Sequence, residues 1–529
     1  MKTRTSKHYR FALPGLSLAV CAAVLLALSC GGSGPSTSKF NPPPSSPAQL
    51  TLANVMSIVQ NAVTSVNAPM VVAIVDRAGN ILAIFQTPSA PTMSMNLGKL
   101  VRSDDLAVGL ARTAAYFSND AAPLSSRTVR FISGIHFPPG VAGTANADLY
   151  GIENTNRGCT LSTNFLPGQA LNPSLAIDGS FGPGIITGKK DTNDSDPTAV
   201  NPGGVPLFDL INGGLIGGVG VVSTTLEIAE FAAYSASYNS QFLPMPTQLP
   251  PPGVVIVGGI ALPFVNQMSP PPGTSPGSFA GAYEILMPST QTGVPPPSGY
   301  LVGPNAGSAL AASDVDEIIQ NAIKTANMTR AVIRLPSDSS ARMTIAVSDL
   351  DGTILGFYRM KDGTVFSADV AASKARNVVW FSTAGVVDLP GVPAGTAVTN
   401  RTVSFGAQPL FPPGIDGSGN GPFFQLFLND TTNPCTQGSD PKGNTSGIVF
   451  FPGSLPLYRN GALVGGLGVS GDGVDQDDFV TAGAVNAACS AGGPCGVPDF
   501  QAPPNIRADQ VVIQNVRLPY LKFPRNPTN

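Results

Sequence analysis

Only one histidine follows the first ten residues, and its surroundings decide what it could do. His136 sits in FISGIHFPPG, between Phe131 and Phe137, with Arg127 and Arg130 close by in sequence. That set could supply an imidazole ligand, aromatic walls and guanidinium partners for carboxylates, which is the chemistry of holding a flat apolar anion. An ordinary histidine packed in an aromatic loop accounts for the same residues. A second cluster is acidic. Asp472, Asp475, Asp477 and Asp478 stand together, and the first three are candidate ligands for a hard cation. Acids at a helix N-terminus are also favoured by the helix dipole with no metal present. With a single histidine, neither a Ser/His/Asp nor a Cys/His arrangement can be assembled twice, so the residues favour binding over catalysis.

The elements that would position these groups occur twice. LANVMSIVQNAV from Leu52 is answered by VDEIIQNAI from Val315, and VVAIVDRAGNILAIF by TIAVSDLDGTILGFY. AVGLARTAAYFS (Ala107 to Ser118) returns as AASKARNVVWFS (Ala371 to Ser382), and SRTVRF with FPPG returns as NRTVSF with FPPG. VPLFDLINGGLIGGVGVV is matched by LPLYRNGALVGGLGVS. Five blocks in one order indicate an internal duplication. Leu410 stands where the first copy has His136, so a histidine-ligated site is possible in copy one alone.

Each copy reads as helix, hairpin, helix, irregular segment, hairpin, helix. The first helix follows from apolar residues at helical spacing, with Ser313 expected to cap the second copy's. The hairpins turn at Asp-Gly and Asn-Gly signals. The fold class is therefore α+β: two tandem copies of an antiparallel sheet flanked by helices, expected to form a pseudo-dimer within one chain. The expected boundaries are a signal peptide at 1–29, a flexible tether at 30–48, a degenerate first domain at 49–238, a Pro-rich connector at 239–307, a second domain at 308–492 and a C-terminal extension at 493–529. Within the connector, VVIVGGIALPFV could add an edge strand to a neighbouring module. The glycines of GGLIGGVGV invite a phosphate-binding reading, but no Lys-Ser/Thr follows, so they more simply let a helix or ligand approach the sheet.

Lys2, Arg4, Lys7 and Arg10 precede an apolar run from Leu18 to Leu28, the pattern of an export signal. ALSC before GGSG resembles a lipobox, which makes Cys30 the expected lipidation site, with soluble export as the alternative. The expected location is an outer-membrane lipoprotein or a periplasmic or extracellular protein, touching membrane only through that lipid. The formal charge of −3 argues against nucleic acid, which requires basic patches. Cys159, Cys435, Cys489 and Cys495 could pair in an oxidising envelope; Cys489–Cys495 and Cys159–Cys435 are the favoured pairings, and free buried thiols the alternative.

The VSDLDGTILGFYRMKDG hairpin (Val347 to Gly363), the helix carrying Ala371, Lys374 and Ala375, and NGALVGGLGVSGDGVDQDD (Asn460 to Asp478) resemble the GlcG/HbpS-like haem-binding family, found also at the C-terminal end of PduO-type proteins. Copy one keeps VDRAGNILAIF and NGGLIGGVGV but has Leu110 in place of Lys374. The resemblance implies compact α+β domains that form dimers or larger oligomers and bind haem or a related tetrapyrrole. It adds Lys374, Arg401 and Phe411 to the candidate binding residues, and places Lys374 where an ion pair with the acidic turn explains both. It leaves two other classes open: a non-catalytic structural or assembly module of the cell envelope that binds protein partners, and an enzyme acting on small organic acids or corrinoids.

Overall fold

Thr51 opens the first helix by a reciprocal cap with Asn54, and the face of α1 (Leu52–Ser65) carrying Val55, Ile58, Val59, Ala62 and Val63 is buried. The computed structural model describes residues 49–96, 98–159, 202–247, 254–293, 295–433, 435–440, 444–485 and 500–528. The signal peptide, tether, Cys30, Cys489 and Cys495 lie outside the described residues. In copy one, α1 leads to the strands β1 (Met70–Asp76) and β2 (Ile81–Gln86), a small hairpin of β3 (Met93–Asn96) and β4 (Lys99–Arg102), then α2 (Ser103–Phe117) and α3 (Ser126–Phe131). Strands β5 (Gly204–Asp209) and β6 (Leu215–Ser223) and helix α4 (Leu226–Ser237) follow. Four short strands come next: β7 (Phe242–Leu243), β8 (Ile256–Val257), β9 (Ile260–Ala261) and β10 (Ala282–Leu286).

Copy two repeats the plan. An edge strand β11 (Gly299–Val302) precedes α5 (Ala312–Met328), β12 (Thr344–Ser348), β13 (Ile354–Arg359), α6 (Ser367–Ser382), α7 (Asn400–Gly406) and α8 (Phe424–Thr432). It closes with β14 (Ser454–Arg459), β15 (Ala462–Ser470), α9 (Val474–Val485) and the short pair β16 (Val512–Ile513) and β17 (Val516–Arg517). Helix α5 starts one residue before Ser313, and the Asp314 carboxylate accepts from the Ala311 amide instead. The two main sheets run β10-β2-β1-β6-β5-β7 and β11-β13-β12-β15-β14, all antiparallel, with the same central order in each. No described helix is long and apolar enough to cross a membrane.

The glycine-rich strands are explained by close packing. A Cβ at Gly220 would lie 1.9 Å from the Ala107 carbonyl oxygen, and one at Gly468 2.1 Å from that of Ala371. Helices α2 and α6 therefore rest their backbones directly on β6 and β15, which only glycine permits. These glycines serve helix packing, and no phosphate cradle is needed to account for them.

The stretch 239–307 is less of a connector than its prolines suggest. VVIVGGIALPFV adds no edge strand to either sheet; β8 and β9 pair only with each other. Edge strands come from β7 and β10 in the first sheet and β11 in the second. The β8–β9 hairpin instead has a counterpart at the far end of the chain. Leu262 donates its amide to Val255 at 2.9 Å as Leu518 does to Val511 at 3.0 Å. Thr128 gives its hydroxyl to the Pro263 carbonyl and Thr402 gives its own to Pro519. LPF and LPY thus strap equivalent helices, and the duplicated unit extends through the strap in both copies.

The described residues of the two copies form one compact unit, and the copies share a core. Phe117 at the end of α2 stacks on Phe366 at the start of α6, with ring centroids 4.0 Å apart, and the Val365 amide bonds the Tyr116 carbonyl at 3.0 Å. Nearby a chain of buried and half-buried charges runs Asp120, Arg77, Asp362, Arg334, Asp472 across the seam. Tyr150 stacks on Phe427, and Cys159 is bonded to Cys435. The Phe117–Phe366 joint runs from the tail of one central helix to the head of the other, whereas the disulfide and the Tyr150–Phe427 stack join the loops that follow the FPPG of each copy.

Candidate functional site

Copy two buries a lysine where copy one has leucine. Lys374, on the face of α6 against β15, is fully buried; its ammonium donates to the Val469 carbonyl at 2.8 Å and to Asp477 Oδ2 at 3.0 Å, and lies 5.0 Å from the centre of the Phe451 ring. Burial pulls Lys374 below the usual lysine range and pushes the Asp477 carboxyl up to about 7, each shift opposed by the other group's charge. Asp477 Oδ1 accepts no hydrogen bond. Asp477 also borders a small cavity between the copies, walled by Phe117, Ile132, Val257, Phe366 and Phe451. Its volume is about 40 Å³, room for a water or two and far below the range of ligand pockets.

The four aspartates before and within α9 are distributed among basic partners. Asp472 takes Arg334 and the Arg342 amide, Asp475 takes Arg401 at 2.6 Å and Lys522 at 2.9 Å, Asp477 takes Lys374, and Asp478 takes Arg401. Among the described residues, no three His, Cys, Asp or Glu side chains are grouped to hold a metal. Each of Asp472, Asp475 and Asp477, expected as a possible cation ligand, faces a lysine or arginine here.

The candidate haem residues are likewise engaged. His136 is buried, with Nδ1 2.8 Å from the Thr144 carbonyl oxygen and Nε2 3.2 Å from Asp416 of copy two, so neither ring nitrogen is free to ligate. Phe131 and Phe137 pack edge to face at 6.0 Å, as their counterparts Phe405 and Phe411 do at 5.5 Å. Arg127 grips buried Glu230 through two bonds of 2.7 and 2.9 Å, and Arg401 grips Asp478 and Asp475 in the equivalent position. Guanidinium groups so neutralised are not available to propionates. In this arrangement these residues do not fit haem: ligand, walls and propionate partners are each committed to internal contacts.

Sequence reasoning missed a buried acidic pair beside the disulfide. Asp369 accepts the Asn156 amide at 2.6 Å, and Asp430 accepts that of Ile448 at 2.9 Å, while one oxygen of each has no partner. Burial raises Asp369 to about 6 and Asp430 to about 8. Their only sequence signal was acids placed among apolar helical positions. A larger cavity, about 520 Å³, lies in copy two among α9, β14 and the C-terminal segment, bordered by Leu455, Val485, Arg507, Arg517 and Tyr520.

Comparison with known proteins bears on copy two. Residues 310–486 match the family described as haem degrading protein HbpS-like. Over 160 residues the chain is 26% identical to the corrinoid adenosyltransferase PduO of Salmonella typhimurium and, equally, to that of Citrobacter freundii. The matched stretch is 30% of this chain and 36% of either relative, so the chain spans little more than a third of those proteins. Among solved structures, a PduOC:heme complex aligns over 35% of this chain and 99% of its own, at 24% identity and a TM-score of 0.23. Klebsiella pneumoniae protein ORFY aligns over 32% of this chain and 85% of its own, at 20% identity and a TM-score of 0.21. The HbpS-like match begins at the first helix of copy two and ends just past its last; copy one lies outside it.

Proposed function

We propose that this chain is a binding protein for haem or a related tetrapyrrole, built from tandem modules and serving storage, transfer or sensing. The observation that carries the reading is the HbpS-like match over residues 310–486, the stretch of copy two from its first helix to its last. It directs the proposal away from His136, whose ring nitrogens face Thr144 and Asp416, and towards copy two. Titration of the purified full chain with haem, followed by absorbance, tests it. A saturable Soret shift near one equivalent per chain is the expected result, and an unchanged haem spectrum overturns the proposal.

The commitment of Arg127, Arg401, Lys374 and the aspartates to internal ion pairs favours a second reading, a non-catalytic envelope module that binds protein partners. A chain that stays colourless with haem, yet is cross-linked to one envelope protein in intact cells, would support it. Both readings include export with a lipid on Cys30. Labelling of the chain by radioactive palmitate, abolished by Cys30→Ser, tests the anchor; equal labelling of the variant rejects it.

A further inference from the structure

We propose that the large cavity of copy two binds an apolar body bearing a carboxylate. The cavity, about 520 Å³, falls within the size range of small-molecule pockets. Leu455, Val485, Leu518 and Leu521 give it apolar walls, and Arg507 and Arg517 border it as cations. Arg507 donates Nε to the Ala502 carbonyl at 2.9 Å and Nη2 to Gln501 at 3.2 Å, and its guanidinium lies over the Tyr520 ring at 5.5 Å. Those contacts fix its plane and leave Nη1 to a ligand. Asp509 is 3.9 Å from Arg517, so one carboxylate stands against two guanidinium groups and an anion is favoured.

Tyr520 supplies the second observation. It borders the cavity, is only 7% exposed, and its buried hydroxyl has no hydrogen-bond partner. A donor left in that state costs free energy, which a ligand oxygen brought within its reach would recover. The duplicated strap provides the internal contrast. Copy one has Ala261 where copy two has Arg517, and Phe264 where copy two has Tyr520, and its strap residues Val255 and Leu262 pack into the shared core. Both straps pack into a core, but copy two's alone carries these polar groups, and they stand beside a cavity. The residues that define the site lie beyond the HbpS-like stretch at 310–486, and the inference does not depend on the haem reading.

An acyl chain and a porphyrin both present this chemistry, so the test uses decanoate, decanol and metal-free protoporphyrin IX against the full chain by calorimetric titration. Decanoate or the porphyrin binds at least tenfold more tightly than decanol. Arg507→Met removes that preference, Tyr520→Phe weakens binding severalfold, and the exposed control Arg525→Met leaves it unchanged. Preference for decanoate assigns an acyl ligand, and preference for the porphyrin a tetrapyrrole. Equal affinity for decanoate and decanol without porphyrin binding, no binding of any probe, or unchanged carboxylate binding in a folded Arg507→Met variant overturns the proposal. Circular dichroism of each variant establishes folding. Haem titration of Arg507→Met separates the two readings, because a Soret shift that survives the loss of carboxylate binding places haem elsewhere.

Discussion

Replacing Lys374 by leucine should cost copy two much of its stability, and removing Asp477 as well should restore most of it. The reasoning uses copy one as a built-in control, since Leu110 and Ala229 occupy the equivalent positions. A Cβ on Gly203 would meet the Ala229 Cβ at 3.5 Å, whereas one on Gly453 would meet both the Asp477 Cβ and the Lys374 ammonium at 2.6 Å. At 3.0 Å the ionised pair is worth about 6 kcal/mol of attraction at an effective dielectric near 20. Desolvation of two buried charges consumes much of that. Lys374→Leu strands a carboxylate and is expected to cost about 3–5 kcal/mol, as is Asp477→Ala, while Lys374→Leu with Asp477→Ala should fall within about 1 kcal/mol of the parent or exceed it. Trp380, the only tryptophan, lies on α6 and reports unfolding of copy two by fluorescence in guanidinium. The folded Asp477 carboxyl, raised by burial to about 7, binds its proton more tightly than in the unfolded chain, so its contribution favours folding at low pH and is lost as pH rises from about 4 to 7. The penalty of Lys374→Leu should accordingly shrink at pH 5. Two silent single variants, or a double variant less stable than either single, would refute the argument.

Asp430→Asn removes a carboxyl whose folded pKa of about 8 makes stability fall as pH rises from about 4 towards 8; the variant's melting temperature should therefore fall less between pH 6 and 8 than the parent's. Cys159→Ser opens a link spanning 276 residues and is expected to cost about 2–5 kcal/mol in chemical unfolding, while peptide mapping of the unreduced parent should recover Cys159 and Cys435 together. Gly468→Ala drives a methyl into the Ala371 carbonyl and should cost about 1–3 kcal/mol or more, measured by the same fluorescence transition.

Much of the fold could be read in advance because its signals are local. Helical spacing marks α1 and α5, Asn-Gly marks the β5–β6 and β14–β15 turns, and the Gly-rich strands announce a close approach, which the Ala107 and Ala371 carbonyls then make. The edge strands β10 and β11 were hidden by flanking proline, which reads as loop although an outer strand tolerates it. The sixth repeated block escaped because the straps share little beyond LPF and LPY, and their equivalence lies in the hydroxyls of Thr128 on α3 and Thr402 on α7, which donate to strap carbonyls. The site was harder still. His136, Arg127 and Arg401 look available in sequence, but their partners Asp416, Glu230 and Asp478 are 77 to 280 residues away and are brought near by folding alone. The cavity beside Arg507 and Tyr520 draws on α9, β14 and the C-terminal segment together, and no spacing rule connects them.

Hydrogen exchange of the full chain with and without one equivalent of haem tests the central claim most directly. The account predicts slower exchange in peptides of copy two and none at residues 131–144, with the same pattern in His136→Ala. Protection confined to the His136 loop, or no protection anywhere, would contradict it.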